Sequence, residues 1–155
     1  MAVIRERIDT ALGIDEVFAF VADFANAERW DPGVASSVRL DGAPLGVGAR
    51  YRLGIRMAGR VAPMDYEITR LEAPHRVVLE GRGSGVRAVD DITFSETPSG
   101  TRIDYVADIR LQGLLRLLAP FAGGAFRRIG ENARDGMQRA LDKLALRATA
   151  SSTAV

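Results

Sequence analysis

A chain of 155 residues with no cysteine, 21 basic and 20 acidic side chains and a net charge of +1 can bury one core without disulfide staples and needs no second domain. Its charges of both signs are interspersed, which leaves no electrostatic footprint for nucleic acid or an anionic membrane, so neither is an expected partner. No apolar run approaches the roughly 20 residues needed to span a bilayer, so stable membrane insertion is excluded too. The charged start Arg5-Glu6-Arg7 is unlike the apolar core of a signal peptide, and the expected location is the cytoplasm.

Residues 2–10 alternate as a first strand, with Ile4, Glu6 and Ile8 on one face. Asp15 reads as an N-cap for a short helix to about Phe24, with Val17, Phe20, Val21 and Phe24 at helical spacing. A second short helix covers residues 26–30 and stops at Asp31-Pro32-Gly33. A strand at 34–40 and a loop at 41–47 follow. Around the Ala58-Gly59 turn one register sets Tyr51 opposite Tyr66 and Leu53 opposite Met64 on one face. The same register sets Arg52 opposite Asp65 and Arg50 opposite Glu67 on the other. A slip of one residue would destroy both sets, so the apolar set faces inward.

Ala73-Pro74 marks another turn, and residues 76–81 and 86–96 pair around Arg82-Gly-Ser-Gly85. After Thr97-Pro-Ser-Gly100 the last strand points Ile103, Tyr105, Ala107, Ile109 and Leu111 inward. A long amphipathic helix runs to about Leu146, with Phe126, Ile129, Ala133, Met137, Ala140 and Leu144 as its apolar stripe. Pro120 and Gly123-Gly124 interrupt it, so residues 114–119 form a separable apolar segment, either a gate or a fixed kink. Residues 1–147 make one α+β domain of seven antiparallel strands, and 148–155 a small-residue, disordered tail.

Standard catalytic sets are missing. His75, the single histidine, follows Pro74 in a turn where it is solvated, so neither a Ser-His-Asp triad nor a zinc site can be built, and no metal or cofactor is expected. Gly81-Arg-Gly-Ser-Gly85 is flanked by strands rather than opening a helix, which makes it a hairpin turn and not a phosphate loop. Trp30 is either a cavity wall or the plug that packs the short helices onto the sheet. Tyr51, Tyr66 and Tyr105 share the inner face, where each hydroxyl needs a partner, in a core or from a ligand. Arg60 points inward at an end of the sheet, where it either meets a ligand carboxylate or, as suits it better, stays solvated at the rim. Asp90 is the anomaly. Its parity with Val86, Ala88, Ile92 and Phe94 turns it inward, beside Val77 and near Ala107, where a carboxylate must be paired or protonated. A bulge at Asp90-Asp91 is the competing reading.

This layout resembles the helix-grip fold of the START-like superfamily, in its polyketide cyclase/dehydrase and lipid-transport branch. The resemblance rests on Trp30-Asp-Pro after the paired helices, Gly46-Val-Gly48 before the third strand, Tyr66-Glu-Ile-Thr-Arg-Leu-Glu-Ala-Pro74, and the glycine-rich start of the long helix. It implies a curved sheet wrapped around the long C-terminal helix, two short helices after strand 1, and an apolar cavity for lipids, polyketides or other ring systems. The expected lining is Trp30, Tyr51, Leu53, Ile55, Met57, Met64, Tyr66, Asp90, Ile92, Phe94, Tyr105 and Ile109 from the sheet side, with Phe126 and Ile129 from the helix. Binding or transport of a small hydrophobic molecule is the leading reading. A cyclase, aromatase or dehydratase is the second, with Asp90 as acid or base and Tyr66 or Tyr105 holding an enolate oxygen. A non-catalytic interaction module is the third, and its mark would be an exposed apolar patch. Neither the ligand nor the oligomeric state is written in the sequence.

Overall fold

The computed structural model describes residues 2–153. In chain order it comprises β1 (Ala2–Thr10), α1 (Ile14–Val21), α2 (Ala27–Trp30), β2 (Val34–Arg39), β3 (Arg50–Met57), β4 (Arg60–Glu72), β5 (Arg76–Gly83), β6 (Val86–Thr97), β7 (Gly100–Leu111) and α3 (Gly123–Thr153). A 3-10 turn at Phe24–Asn26 joins the short helices, and a 3-10 helix at Gly113–Phe121 joins β7 to α3. All seven strands form one antiparallel sheet in the order β1-β7-β6-β5-β4-β3-β2. This is the helix-grip α+β fold, a curled half-barrel closed by the C-terminal helix.

The β3–β4 hairpin has the register its side chains dictate. Tyr51 pairs with Tyr66, Leu53 with Met64, Arg52 with Asp65 and Arg50 with Glu67. Ala58 and Gly59 take φ of 47° and 80°, the left-handed pair a two-residue hairpin turn requires. On the outer face Arg52 donates to both oxygens of Asp65, at 2.7 and 3.0 Å. The sheet curls because the register shifts between Val34 and Ser36 on β2 and between Ile68 and Arg70 on β4, each shift sharpening the local twist.

Across Asp90 both neighbouring registers run unbroken, so there is no bulge and the carboxyl faces inward. Its partners are Ala107 on β7, as expected, and Leu79 on β5. The expected neighbour Val77 pairs with Ile92 instead. The cause is the turn, which uses only Ser84 and Gly85 and lengthens β5 to Gly83, moving the pairing by two residues.

Two helix ends differ from expectation. Gly13 rather than Asp15 precedes α1, and Asp15 sits in the first turn, where its charge favours the helix dipole. The helix ends at Val21, and Asp23 then caps the next turn by accepting a 3.1 Å bond from the Ala25 amide. At the other terminus, residues 148–153 continue α3 instead of fraying into a tail. Alanine-rich sequence favours helix, and the hydroxyls of Thr149 and Thr153 bond back to the carbonyls of Ala145 and Thr149. Positions 154–155 of the expected tail lie outside the described residues.

The core sits beneath α1 and α2, where Val17, Phe24, Tyr51, Ile68, Leu79, Ile92 and Ile103 are buried with Met137 and Leu141 of α3. α3 lies close over β1 and α2 because two of its glycines leave room. A methyl at Gly130 would collide with Ile4, and one at Gly136 with the Trp30 carbonyl and Pro32.

Candidate functional site

Between the inner face of the sheet and the first half of α3 lies a cavity of about 160 Å³. Ile4 and Ile8 of β1, Ile55, Met57 and Met64 of the β3–β4 hairpin, Val86 and Ala88 of β6, and Ala107 and Ile109 of β7 form its apolar walls. Phe126, Ile129, Ala133 and Met137 close it from α3. The polar residues that reach it are Glu6, Trp30, Asp31, Arg56, Tyr66, Asp90, Tyr105 and Arg134.

Of the expected lining, Trp30, Ile55, Met57, Met64, Tyr66, Asp90, Tyr105, Ile109, Phe126 and Ile129 meet at this cavity. Tyr51, Leu53, Ile92 and Phe94 do not, although all four face inward, because the short helices fill the space above them. Phe18 packs edge-on against Phe94 with ring centroids 5.1 Å apart, and Phe24 lies 6.3 Å from the ring of Tyr51. The Tyr51 hydroxyl is buried without a partner, and burial pushes its phenol well above the usual range. Arg60 projects at the exposed end of the hairpin, and His75 is exposed in its turn.

Trp30 serves as plug and wall together. Its ring lies edge-on to Phe24 at 5.9 Å and to Tyr105 at 6.1 Å, and its indole Nε1 is buried with no acceptor. Residues 31–33 are fixed beside it by two bonds. The Gly33 amide donates to Asp31 Oδ1 at 2.8 Å, and the Arg56 amide donates to the Gly33 carbonyl at 2.8 Å.

Asp90 is 4% exposed. The Tyr105 hydroxyl donates to its Oδ1 at 2.6 Å, while Oδ2 is buried without a partner. Burial raises the carboxyl to about pH 7; the Tyr105 bond and the nearby Tyr66 hydroxyl oppose the rise, and the charge of Asp31 adds to it. Burial raises Asp31 as well, against the Gly33 amide. Both phenols are pushed up, first by burial and then by the charge of Asp90. The site therefore holds a carboxyl that is half protonated near neutrality and two phenols that stay protonated, in a setting that excludes most water.

Tyr66 reaches this cluster because Gly81 stands opposite it. A methyl at Gly81 would lie 2.5 Å from the phenol ring and 2.9 Å from the Met64 methyl, so glycine lets the ring lie across the neighbouring strand. A glycine inside a strand is the sequence signal for such an approach. At the opposite wall Arg134 of α3 donates to Glu6 of β1 at 3.3 Å, a pair that the shared inner face of Ile4, Glu6 and Ile8 only half announces. Among the described residues no group of three His, Cys, Asp or Glu side chains could hold a metal ion.

Residues 1–149 match the sequence pattern of the family described as polyketide cyclase / dehydrase and lipid transport. Solved structures share the fold at low identity. The protein TTHA0849 from Thermus thermophilus superposes with a TM-score of 0.76 at 16% identity, over 92% of this chain and 99% of that one. A START superfamily protein from Mycobacterium smegmatis gives 0.72 at 13% identity, over 92% and 98% of the two chains. SA2116 from Staphylococcus aureus, described as a protein of unknown function, gives 0.68 at 12% identity, over 94% and 96%. No protein with a curated description matches the chain in sequence. With the pattern matched over nearly its whole length and the helix-grip architecture in place, the chain belongs to the polyketide cyclase / dehydrase and lipid transport family.

Proposed function

We propose that this protein binds a compact, mostly apolar molecule bearing a carbonyl or hydroxyl oxygen and acts as its carrier in the cytoplasm. The observation that carries this reading is the pairing of an apolar cavity with two buried, unpartnered polar atoms, Asp90 Oδ2 and Trp30 Nε1. An unsatisfied buried donor or acceptor costs about 1–3 kcal/mol, which a ligand carbonyl accepting from Trp30 Nε1, or a ligand hydroxyl donating to Asp90 Oδ2, would recover. Size narrows the class. An apolar cavity of about 150 Å³ accommodates benzene, so one ring or a short acyl chain suits this space better than a sterol. Native mass spectrometry of the purified protein, followed by calorimetry with cyclic ketones and phenols, tests the reading. Wild type binds members of the panel, and Ala133→Phe, which fills the cavity, abolishes binding while the fold persists. Equal affinity in the filled variant would overturn it.

A second reading is favoured by one specific feature, the Tyr105-bonded carboxyl of Asp90 raised to about pH 7. In this reading Asp90 moves a proton at the carbon next to a ligand carbonyl, and a phenol steadies the enolate oxygen. Asp90→Asn keeps the shape and removes the proton chemistry. An enzyme would then lose turnover of an enolisable ketone and keep its affinity, whereas a carrier has no turnover to lose.

A further inference from the structure

The 3-10 helix Gly113–Phe121 turns four of its five large apolar side chains outward, while Leu115 leans toward Gly85 of the β5–β6 turn. Leu114 is 85% exposed, Leu117 72%, Leu118 55% and Phe121 85%, and no residue of the segment is buried. Scattered exposed leucines are ordinary, but four large apolar side chains on one nine-residue segment form a contiguous patch of the kind that marks a contact surface.

The charge around the patch says what it contacts. Arg110, Arg116, Arg127 and Arg128 flank it, all exposed; Arg110 pairs with Asp108 at 3.4 Å and Arg127 with Glu131 at 3.9 Å, and residues 108–131 still carry four basic against two acidic side chains. The chain's net charge of +1 therefore conceals a local concentration of positive charge, and the rest of the molecule is net acidic. An anionic surface would attract this end and repel the remainder, which fixes an orientation. A second copy meeting the same patch face to face would set arginines against arginines. Apolar side chains with a basic rim suit the boundary between acyl chains and anionic headgroups.

The patch also adjoins a groove that borders the cavity. This groove, of about 370 Å³, runs from Ala119, at the base of the segment, past Gly123 and Arg127. It shares Ile4, Glu6, Ile109 and Phe126 with the ligand cavity. No helix among the described residues is long and apolar enough to cross a membrane, so contact through this segment would be peripheral.

We propose that the Gly113–Phe121 segment is a membrane-docking surface that seats the protein on an anionic lipid bilayer, with the groove that borders the cavity lying beside the lipid. The docking surface does not depend on what the cavity holds.

The test is co-sedimentation of the full chain with vesicles of phosphatidylcholine alone and of phosphatidylcholine mixed with phosphatidylglycerol. The mixed vesicles bind the wild type and release it in high salt, while the neutral vesicles bind it poorly. Arg116→Glu weakens binding by more than the roughly fivefold expected for losing one basic residue, since it also adds a repelling charge. Leu117→Asp combined with Leu118→Asp abolishes it. All three positions are exposed, so circular dichroism and thermal unfolding stay unchanged. Wild type that ignores the mixed vesicles, or variants that bind them as well as wild type, would overturn the proposal. So would a dimer in sedimentation velocity that the double variant dissolves without any vesicle affinity in the wild type. A photocrosslinker at position 117 that labels a protein and no lipid in cells would count against it equally.

Discussion

Beneath α1 and α2 the inner face of the sheet meets Phe18, Phe20 and Phe24 and packs solid; beneath the first turns of α3 the same strands face a space that side chains leave empty. β6 shows the contrast within a single strand. Phe94 and Ile92 are core, two residues on Asp90 borders the cavity, and Ala88 and Val86 line it. Alternation decides which side chains point inward. What lies on top of them decides whether inward means core or cavity. The helices over the packed end bring aromatic rings. α3 brings Gly130 and Ala133, which leave room.

Truncation at each end should break this comparison most strongly. Phe24→Ala, at 2% exposure among Tyr51, Trp30 and Tyr66, is expected to cost about 3–5 kcal/mol of stability in urea unfolding. Met57→Ala at the cavity rim, 39% exposed, should cost no more than about 0.5 kcal/mol and alter ligand affinity instead. Similar losses at the two positions would mean that the cavity end is also packed core.

Protonation offers the next largest contrast. Asp90 is raised from 3.8 to about 7 in the fold, so the folded state holds a proton that the unfolded chain releases. Its contribution is full below pH 4, declines as pH rises toward 7 and is lost above that, a swing on the order of 4 kcal/mol at most. Asp31, also raised, acts in the same direction. Between pH 5 and pH 8 the urea midpoint should therefore fall for wild type, and fall much less for Asp90→Asn. A wild type as stable at pH 8 as at pH 5 would mean that the carboxyl is not buried as described.

A smaller effect than either the Phe24 truncation or the Asp90 titration sharpens the boundary between the two ends. Gly81→Ala pushes against the Tyr66 ring and should cost about 1–3 kcal/mol by overpacking. It should also shift the pH at which Asp90 titrates, followed by the carboxyl carbon resonance. An unmoved titration would separate Tyr66 from the cluster.

The β3–β4 hairpin was legible in full because its partners are close in sequence and both faces demand one register. Asp90 could be read as inward from the parity of its own strand. Its neighbour Leu79 could not, because the number of residues spent in the β5–β6 turn is a backbone choice that the glycines of that turn leave open. β1 advertised its inner face, but its pairing with β7 joins residues about a hundred positions apart, and no local pattern records that closure. Hence Ile4 and Ile8 were missed as cavity walls, and the ion pair of Glu6 with Arg134 was missed with them. Tyr51, Leu53, Ile92 and Phe94 were assigned to the cavity for the complementary reason. Their direction is written in the strand, whereas their cover is supplied by helices whose placement depends on packing.

Gly130 and Gly136 have a consequence for how ligand preference can change in this chain. Where helix main chain comes against a neighbour's main chain, as Gly136 does against the Trp30 carbonyl, the gap is a fixed spacer, and at Gly130 the Ile4 γ-methyl leaves room only for a rotamer change. The width of the cavity under α3 is thus set at two contact points, against Ile4 and against Trp30 and Pro32. Adjustment falls to the opposite wall, where Met57 and Met64 offer unbranched side chains that reshape at little cost. Substitution there regrades the size of the accepted ligand without moving a helix, while a single methyl at Gly136 would reset the whole interior at once.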